Sequence, residues 1–373
     1  MNHDALVAVA RAVFEAAGGT PIDPDYVLPA DIPLELSGEA VRARLCVFTD
    51  NRGAEMVMRP DLTLPVAQRE VARLAEAGAS AKTYTYAARA FRLPAAADDP
   101  FEFTQVGVER FGHDAGPAAD AELFALVHRA VEACGVQPVA VVTGDLGIFP
   151  AFIDALGLPT VSTDLLKRAF RQEGGVRAVL DAGARELDAD VLAALDADGA
   201  EAALGAVLAA RAIPLAGARS LAEIVDGLRA RRAAIAAGGL PETARAALLA
   251  LRDVDCPLTE APGRLSDLAR TYGLAGADAA LAAFAARVEK IMALVPAARR
   301  TAAFRAGFGR RFTYYDGFVF EVLADGLSAS QPVAAGGRYD GLIAGLSSGR
   351  VSATGIGGIV RPDRMVRVRR AGA

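Results

Sequence analysis

The sequence predicts an α+β protein in which an antiparallel sheet flanked by helices is interrupted by a helical insertion. Three observations carry this. Two pairs of strand-like runs, each pair joined by turn-forming residues, lie ahead of residue 112. From about 160 to 298 strand-type residues thin out, and Ala, Leu, Arg and Asp repeat at helical spacing between Gly and Pro breaks. β character returns from Phe304. Hairpins at both ends with helices between them argue for one sheet domain split in two. Its first part spans 1–159, the helical insertion 160–300 and its second part 301–373.

The elements follow in order. Leu6, Val9, Ala10, Val13 and Phe14 recur near the helical period within residues 4–17, and Gly18-Gly19 stop them. A Pro-rich stretch leads to apolar runs at 45–48 and 55–58, which flank the turn-forming Thr49-Asp50-Asn51-Arg52-Gly53 and predict a hairpin. Residues 64–77 read as a helix with a Val66, Ala67, Val71 and Leu74 stripe. A longer hairpin joins 82–91 to 101–111 through a Pro-bounded acidic loop, and a helix at 120–134, a strand at 139–143 and a helix at 146–156 follow. The tail predicts a strand at 314–323, a turn at Asp325-Gly326, a strand at 331–334, a turn at Gly336-Gly337, a helix at 339–346 and a Gly-rich strand ending near Val360.

Composition excludes several classes. With 53% hydrophobic residues and 40 Lys plus Arg against 45 Asp plus Glu, the chain of 373 residues can offset its ordering entropy and fold. Lysines are scarce and the sequence pI is near 5.4, which argues against a general nucleic-acid binder. The mean hydropathy of +0.28 comes largely from Ala, and charges break every apolar stretch short of a membrane span. Neither a secretory signal nor a paired cysteine spacing is evident, so Cys46, Cys134 and Cys256 read as reduced thiols of a cytoplasmic protein. His3, His113 and His128 match no zinc pattern. No metal and no cofactor are expected. A Walker loop is excluded because Lys82, Lys167 and Lys290 never follow a glycine. Gly355-Ile356-Gly357-Gly358 reads as a buried Gly-rich strand rather than a dinucleotide fingerprint.

With a period of two, Phe101, Phe103, Gln105, Gly107, Glu109 and Phe111 share one strand face, and Thr104, Val106 and Val108 the other. The valine face is core. The opposite face sets an amide and a carboxylate either side of a glycine, a layout with room for a small polar ligand above Gly107; the alternative is polar groups facing water. Asp61 or Thr63 could cap the following helix or hold a ligand. Arg92 could be a solvated edge charge, and Tyr314, Tyr315 and Tyr339 half-buried sheet aromatics with bonded hydroxyls.

Taken in order, these segments resemble a class II aminoacyl-tRNA synthetase catalytic domain of the histidyl-tRNA synthetase group. Arg59-Pro60-Asp61-Leu62-Thr63 looks like that group's R-P-E-x-T segment. Phe91-Arg92 with Phe103-Thr104-Gln105-Val106-Gly107-Val108-Glu109 looks like its motif 2 hairpin, and Pro29 stands where a motif 1 proline would. Tyr314-Tyr315-Asp316-Gly317-Phe318-Val319-Phe320-Glu321 and Gly336-Gly337-Arg338-Tyr339-Asp340-Gly341 are similar to the histidine-specific segments. The resemblance implies that Asp61, Thr63 and Gln105 hold the ammonium of a bound histidine, that Glu109, Tyr315 and Tyr339 meet its imidazole, and that Arg310 meets its carboxylate.

Departures from that pattern separate active from inactive relatives. The loop after Arg92, Leu93-Pro94-Ala95-Ala96-Ala97-Asp98-Asp99-Pro100, is acidic where synthetases are basic. Arg361-Pro362 replace a glycine and an apolar residue, Arg311 replaces a glycine, and no anticodon-binding domain is expected after motif 3. Arg92 and Arg364 would mark a vestigial nucleotide site. This combination resembles the regulatory subunits of short-form ATP phosphoribosyltransferase. The resemblance implies a non-catalytic, cytoplasmic subunit that dimerises through motif 1, activates a separate catalytic subunit in histidine biosynthesis and makes it histidine-sensitive. No membrane or nucleic-acid partner is expected. The alternatives are a truncated histidyl-tRNA synthetase-like enzyme that activates histidine with ATP, and a synthetase-like scaffold for some other enzyme.

Overall fold

The computed structural model describes residues 1–373 except 79, 96–98, 138–139, 171–175, 177–178, 181–187, 212, 214–219, 237–239, 310–311 and 372–373; of 39, 40, 370 and 371 it describes the backbone. Twelve strands are numbered in chain order: β1 Thr20–Pro21, β2 Val27–Pro29, β3 Cys46–Thr49, β4 Glu55–Met58, β5 Lys82–Phe91, β6 Glu102–Phe111, β7 Ala140–Asp145, β8 Asp255–Pro257, β9 Ala302–Arg305, β10 Phe318–Leu323, β11 Ala334–Arg338 and β12 Gly355–Val360. Among the described residues, nine of them form one sheet in the order β1-β5-β6-β12-β11-β10-β7-β9-β8, and a small sheet runs β2-β4-β3. Pairing is antiparallel throughout the large sheet except at β1–β5 and β7–β9.

Local chemistry sets the elements out as the periodicity predicts. The Asn2 side chain accepts from the Ala5 N–H to start the His3–Glu15 helix, and Gly18, at φ +91°, ends the segment. Asp50 accepts from the N–H groups of Arg52 and Ala54, and Gly53, at φ +82°, completes the turn between β3 and β4. The helices Thr63–Ala77, Pro117–Ala133 and Ile148–Ala155 lie within a few residues of their expected positions.

The expected Gly336-Gly337 turn is a correction. Both glycines lie inside β11, opposite Gly358 and Gly357 of β12 and Phe320 and Val319 of β10. A Cβ on Gly336 would come within 2.8 Å of the Gly357 carbonyl oxygen and of the Phe320 ring. Glycine serves close strand packing here: the strand expected at 331–334 begins only at Ala334 and runs on to Arg338, while the turn expected at Asp325-Gly326 is present, with Gly326 at φ +79°.

The large sheet has two covered faces. On one, Val106 and Val108 pack with Leu6 and Phe14 of the first helix and with Phe124 and Val127 of the Pro117–Ala133 helix. On the other, Tyr84, Tyr86, Phe103 and Phe111 pack with the small sheet, the Thr63–Ala77 helix, Tyr314 and Tyr339. Within the expected insertion, Ala194, Leu195, Ala200, Leu204 and Val225 make a small separate core. Ala247, Leu251, Leu265, Phe284 and Ile291 belong instead to the core of the large sheet, and β8 joins that sheet through β9. Asp120 fixes this junction: its carboxylate accepts from Arg287 Nε at 2.6 Å and from Arg338 Nε at 2.7 Å, while Arg287 also pairs with Asp145.

Candidate functional site

The second covered face opens into a cavity of about 560 Å³, a size common for small-molecule sites. Asp61, Thr63 and Gln105 line one part, Phe312, Tyr314 and Tyr315 an aromatic part, and Arg44, Arg92, Arg361 and Arg364 a cationic part.

The segment ahead of the Thr63–Ala77 helix is stapled by Arg59. That guanidinium is fully buried, lies 3.9 Å over the Tyr26 ring, and donates to the carbonyls of Arg89, Pro24 and Asp25. Asp61 is thereby held at 3% exposure, with Oδ1 accepting from the Leu64 N–H at 3.1 Å and Oδ2 from the Tyr314 hydroxyl at 3.1 Å. One oxygen thus caps the helix, as the first reading of Asp61 expects, and the residue also lines the cavity. Burial pushes its carboxyl above the usual range, against the pull of the Leu64 N–H first and then of Arg92 and the Tyr314 hydroxyl.

Gln105 lines the cavity at 5% exposure, and its Oε1, itself shut off from solvent, has no partner among the described residues. A buried carbonyl oxygen without a donor is costly, and a ligand N–H would satisfy it. The alternative of polar groups facing water does not hold for this strand, because Glu109 is also wholly buried. Glu109 lies behind the cavity wall rather than on it. Oε1 accepts from Thr63 Oγ1 at 2.8 Å and from the Tyr86 hydroxyl at 2.7 Å, and Oε2 from the Tyr339 hydroxyl. Burial, with some help from Asp61, pushes Glu109 up to about 7 against the pull of these three hydroxyls.

The room expected above Gly107 is occupied. A Cβ there would lie 2.7 Å from both the Tyr86 hydroxyl oxygen and Ile359 Cγ2, and 2.8 Å from the Gly358 carbonyl oxygen. Tyr86 fills the place that the strand pattern offered to a ligand, and the cavity opens beside it along Gln105 and Thr63.

Arginines also line the cavity, with Arg92 close enough to Asp61 to interact with it. Arg92 is no solvated edge charge: Nε donates to the Pro60 carbonyl at 2.8 Å, and burial with neighbouring Arg361 lowers its pKa to about 10. Arg364 donates to the Pro332 carbonyl at 2.7 Å and is lowered to about 9, again by burial first and Arg361 second. Arg361 makes a fork to Asp363 at 3.1 and 2.9 Å and lies 3.7 Å over the Phe103 ring. Asp99, from the acidic loop, pairs with Arg44 at 3.3 Å and accepts from Gln331.

Of the residues singled out in the sequence, Asp61, Thr63, Gln105, Tyr315, Arg92 and Arg364 meet at this cavity. Glu109 and Tyr339 stand behind it, and Arg310 lies outside the described residues. Arg44, Phe312, Glu321 and Arg361 also line the cavity, and Tyr86 backs it. The strand alternation that exposed Gln105 and Glu109 could not give the register against β5, where Tyr86 pairs with Gly107.

A family model described as histidyl-tRNA synthetase matches residues 2–237 and 219–361. The chain is 34% identical over 357 residues to the ATP phosphoribosyltransferase regulatory subunit of a Chelativorans species, covering 92% of this chain and 91% of that one. It is 32% identical over 365 residues to the protein of that name from Brucella anthropi, covering 95% and 94%. A solved ATP phosphoribosyltransferase regulatory subunit/histidyl-tRNA synthetase from Bacillus halodurans shares the fold at TM-score 0.65 and 20% identity, over 98% of this chain and 78% of that one. A histidine–tRNA ligase subunit from Alicyclobacillus acidocaldarius does so at TM-score 0.60 and 24% identity, over 99% and 93%. The chain belongs to the ATP phosphoribosyltransferase regulatory subunit family and has the class II aminoacyl-tRNA synthetase-like fold of histidyl-tRNA synthetases.

Proposed function

We propose that this chain is a non-catalytic subunit that binds histidine in the cavity, activates a short-form ATP phosphoribosyltransferase catalytic subunit, and makes that enzyme sensitive to histidine. The observation that carries the site is that Asp61, Thr63 and Gln105, whose buried Oε1 has no partner among the described residues, line one cavity. Together they suit an ammonium, which has three donors and no acceptor. The Tyr315 ring lines the cavity and would wall an imidazole, while Glu109 and Tyr339 act from behind the wall. Arg310 is assigned the ligand carboxylate. The partner follows from the name that the relatives share.

In this reading the partner exists in active and inactive forms, this chain shifts the equilibrium toward the active one, and histidine favours a less active assembly. Calorimetric titration of the purified chain with histidine tests the first step. Saturable one-site binding that Asp61→Asn weakens supports it, and absence of binding by the folded chain overturns it.

A second reading is favoured by Arg92 and Arg364, which line the cavity as cations that an anionic substrate could use. It makes the chain an enzyme that activates histidine with ATP. Histidine-dependent exchange between ATP and pyrophosphate would support that reading, and its absence in a chain that binds histidine would remove it.

A further inference from the structure

Glu109 is wholly buried at the site. Its oxygens accept from Thr63 on the Thr63–Ala77 helix, Tyr86 on β5 and Tyr339 just after β11. β12 closes over the fourth side, where a Cβ on Gly357 would sit 1.6 Å from Oε2. Asp61 and the hydroxyls of Tyr314 and Tyr315 complete the titratable groups around it, and among the described residues no cation is bonded to it. A side chain held this way cannot swing out to meet a ligand.

Thr63 touches both Glu109 and the cavity. A hydroxyl has one proton to donate and lone pairs to accept. While Glu109 is ionised, that proton is committed to Oε1, so the Thr63 oxygen can only accept from the cavity side. It then matches Asp61 and Gln105, acceptor-bearing residues that line the same cavity. Once Glu109 is protonated, its own O–H can donate to Thr63, and the threonine proton turns to the cavity side, which the Tyr314 hydroxyl shares, and there it opposes an ammonium. The proton passes between solvent and Glu109, with no covalent change in the ligand.

We propose that Glu109 and Tyr86 are positioning residues that act on the ligand through Thr63: the ionised carboxylate turns the Thr63 lone pairs to the cavity, and the Tyr86 hydroxyl holds the carboxylate ionised. Tyr86 is 2% exposed, and among the described residues its bond to Oε1 is the one bond to Glu109 made by a residue that neither lines the cavity nor was assigned to the ligand by resemblance. This inference rests on the histidine reading.

The test is histidine affinity from pH 6 to 8.5 for the full chain and its variants, each taken as a ratio to wild type at the same pH so that the ligand's own titration cancels. Losing one bond to the carboxylate raises its midpoint by about one pH unit. Tyr86→Phe should therefore bind roughly fivefold more weakly near pH 7 and within about twofold of wild type at pH 8.5. Thr63→Val should weaken binding and flatten the profile, and Thr63→Ser should restore both. A Tyr86→Phe profile parallel to wild type, or a Thr63→Val profile with its pH dependence intact, would overturn the inference while leaving the histidine site standing. A folded wild-type chain that binds no histidine at any pH would instead remove the functional reading, and this inference with it.

Discussion

At Asp61 one carboxylate holds the helix start with Oδ1 and the Tyr314 hydroxyl with Oδ2. Asp61→Asn keeps the size but loses the charge, so histidine should bind at least tenfold more weakly in a titration, while melting changes by no more than about 2 kcal/mol. Glu109 makes a prediction about stability itself. Its pKa is raised from 4.5 to about 7, so the folded state binds the proton more tightly than the unfolded chain does. Stability is then lost as pH rises from about 4.5 to 7, by roughly 3 kcal/mol for this group. Glu109→Gln should remove that slope, so the difference between the two urea-unfolding profiles should grow in favour of the variant across that window; identical slopes would contradict the account. Asp61, Thr63 and Gln105 were legible because their types and order survive in short segments. Tyr86 and Arg44 were not, because each reaches the site across a strand register or loop that a one-dimensional pattern does not specify.

Strands β11 and β12 bring glycine against glycine across the sheet, Gly336 opposite Gly358 and Gly337 opposite Gly357. Read along the chain, paired glycines suggest a turn; across the sheet they make room for Phe320, Tyr315 and the Glu109 carboxylate. That is why the Gly-rich strand at 355–360 was legible and the role of Gly336-Gly337 was not. Gly357→Ala should lose about 1–3 kcal/mol or more, since its methyl would overlap Glu109 Oε2 beside a fixed backbone. Histidine affinity should fall with it. The buried Asp120 node makes the complementary prediction away from the cavity. Asp120→Ala leaves Arg287 and Arg338 short of a partner between two helices and the sheet, and chemical unfolding should report a loss of about 3–5 kcal/mol. An effect under 1 kcal/mol would show that the guanidinium groups find other partners there.

For the whole molecule, the alternation of hairpins and helices was enough to forecast a mostly antiparallel sheet split by helices. The sharing of one core between the sheet and residues 247–298 was not forecast, because Ala-rich helical faces do not name what they pack against. In the proposed reading the histidine site and the partner's site are coupled, and equilibrium coupling is reciprocal. If histidine weakens a substrate's binding to the assembled enzyme by some factor, that substrate must weaken histidine binding by the same factor, as paired titrations would measure. The most direct test of the regulatory account is the rate of phosphoribosyl-ATP formation by a purified short catalytic subunit from the same organism, with this chain absent, present, and present with histidine. The account predicts a rise on adding the chain that histidine reverses, with the reversal weakened in Asp61→Asn. A competent catalytic subunit whose rate is the same in all three mixtures would contradict it.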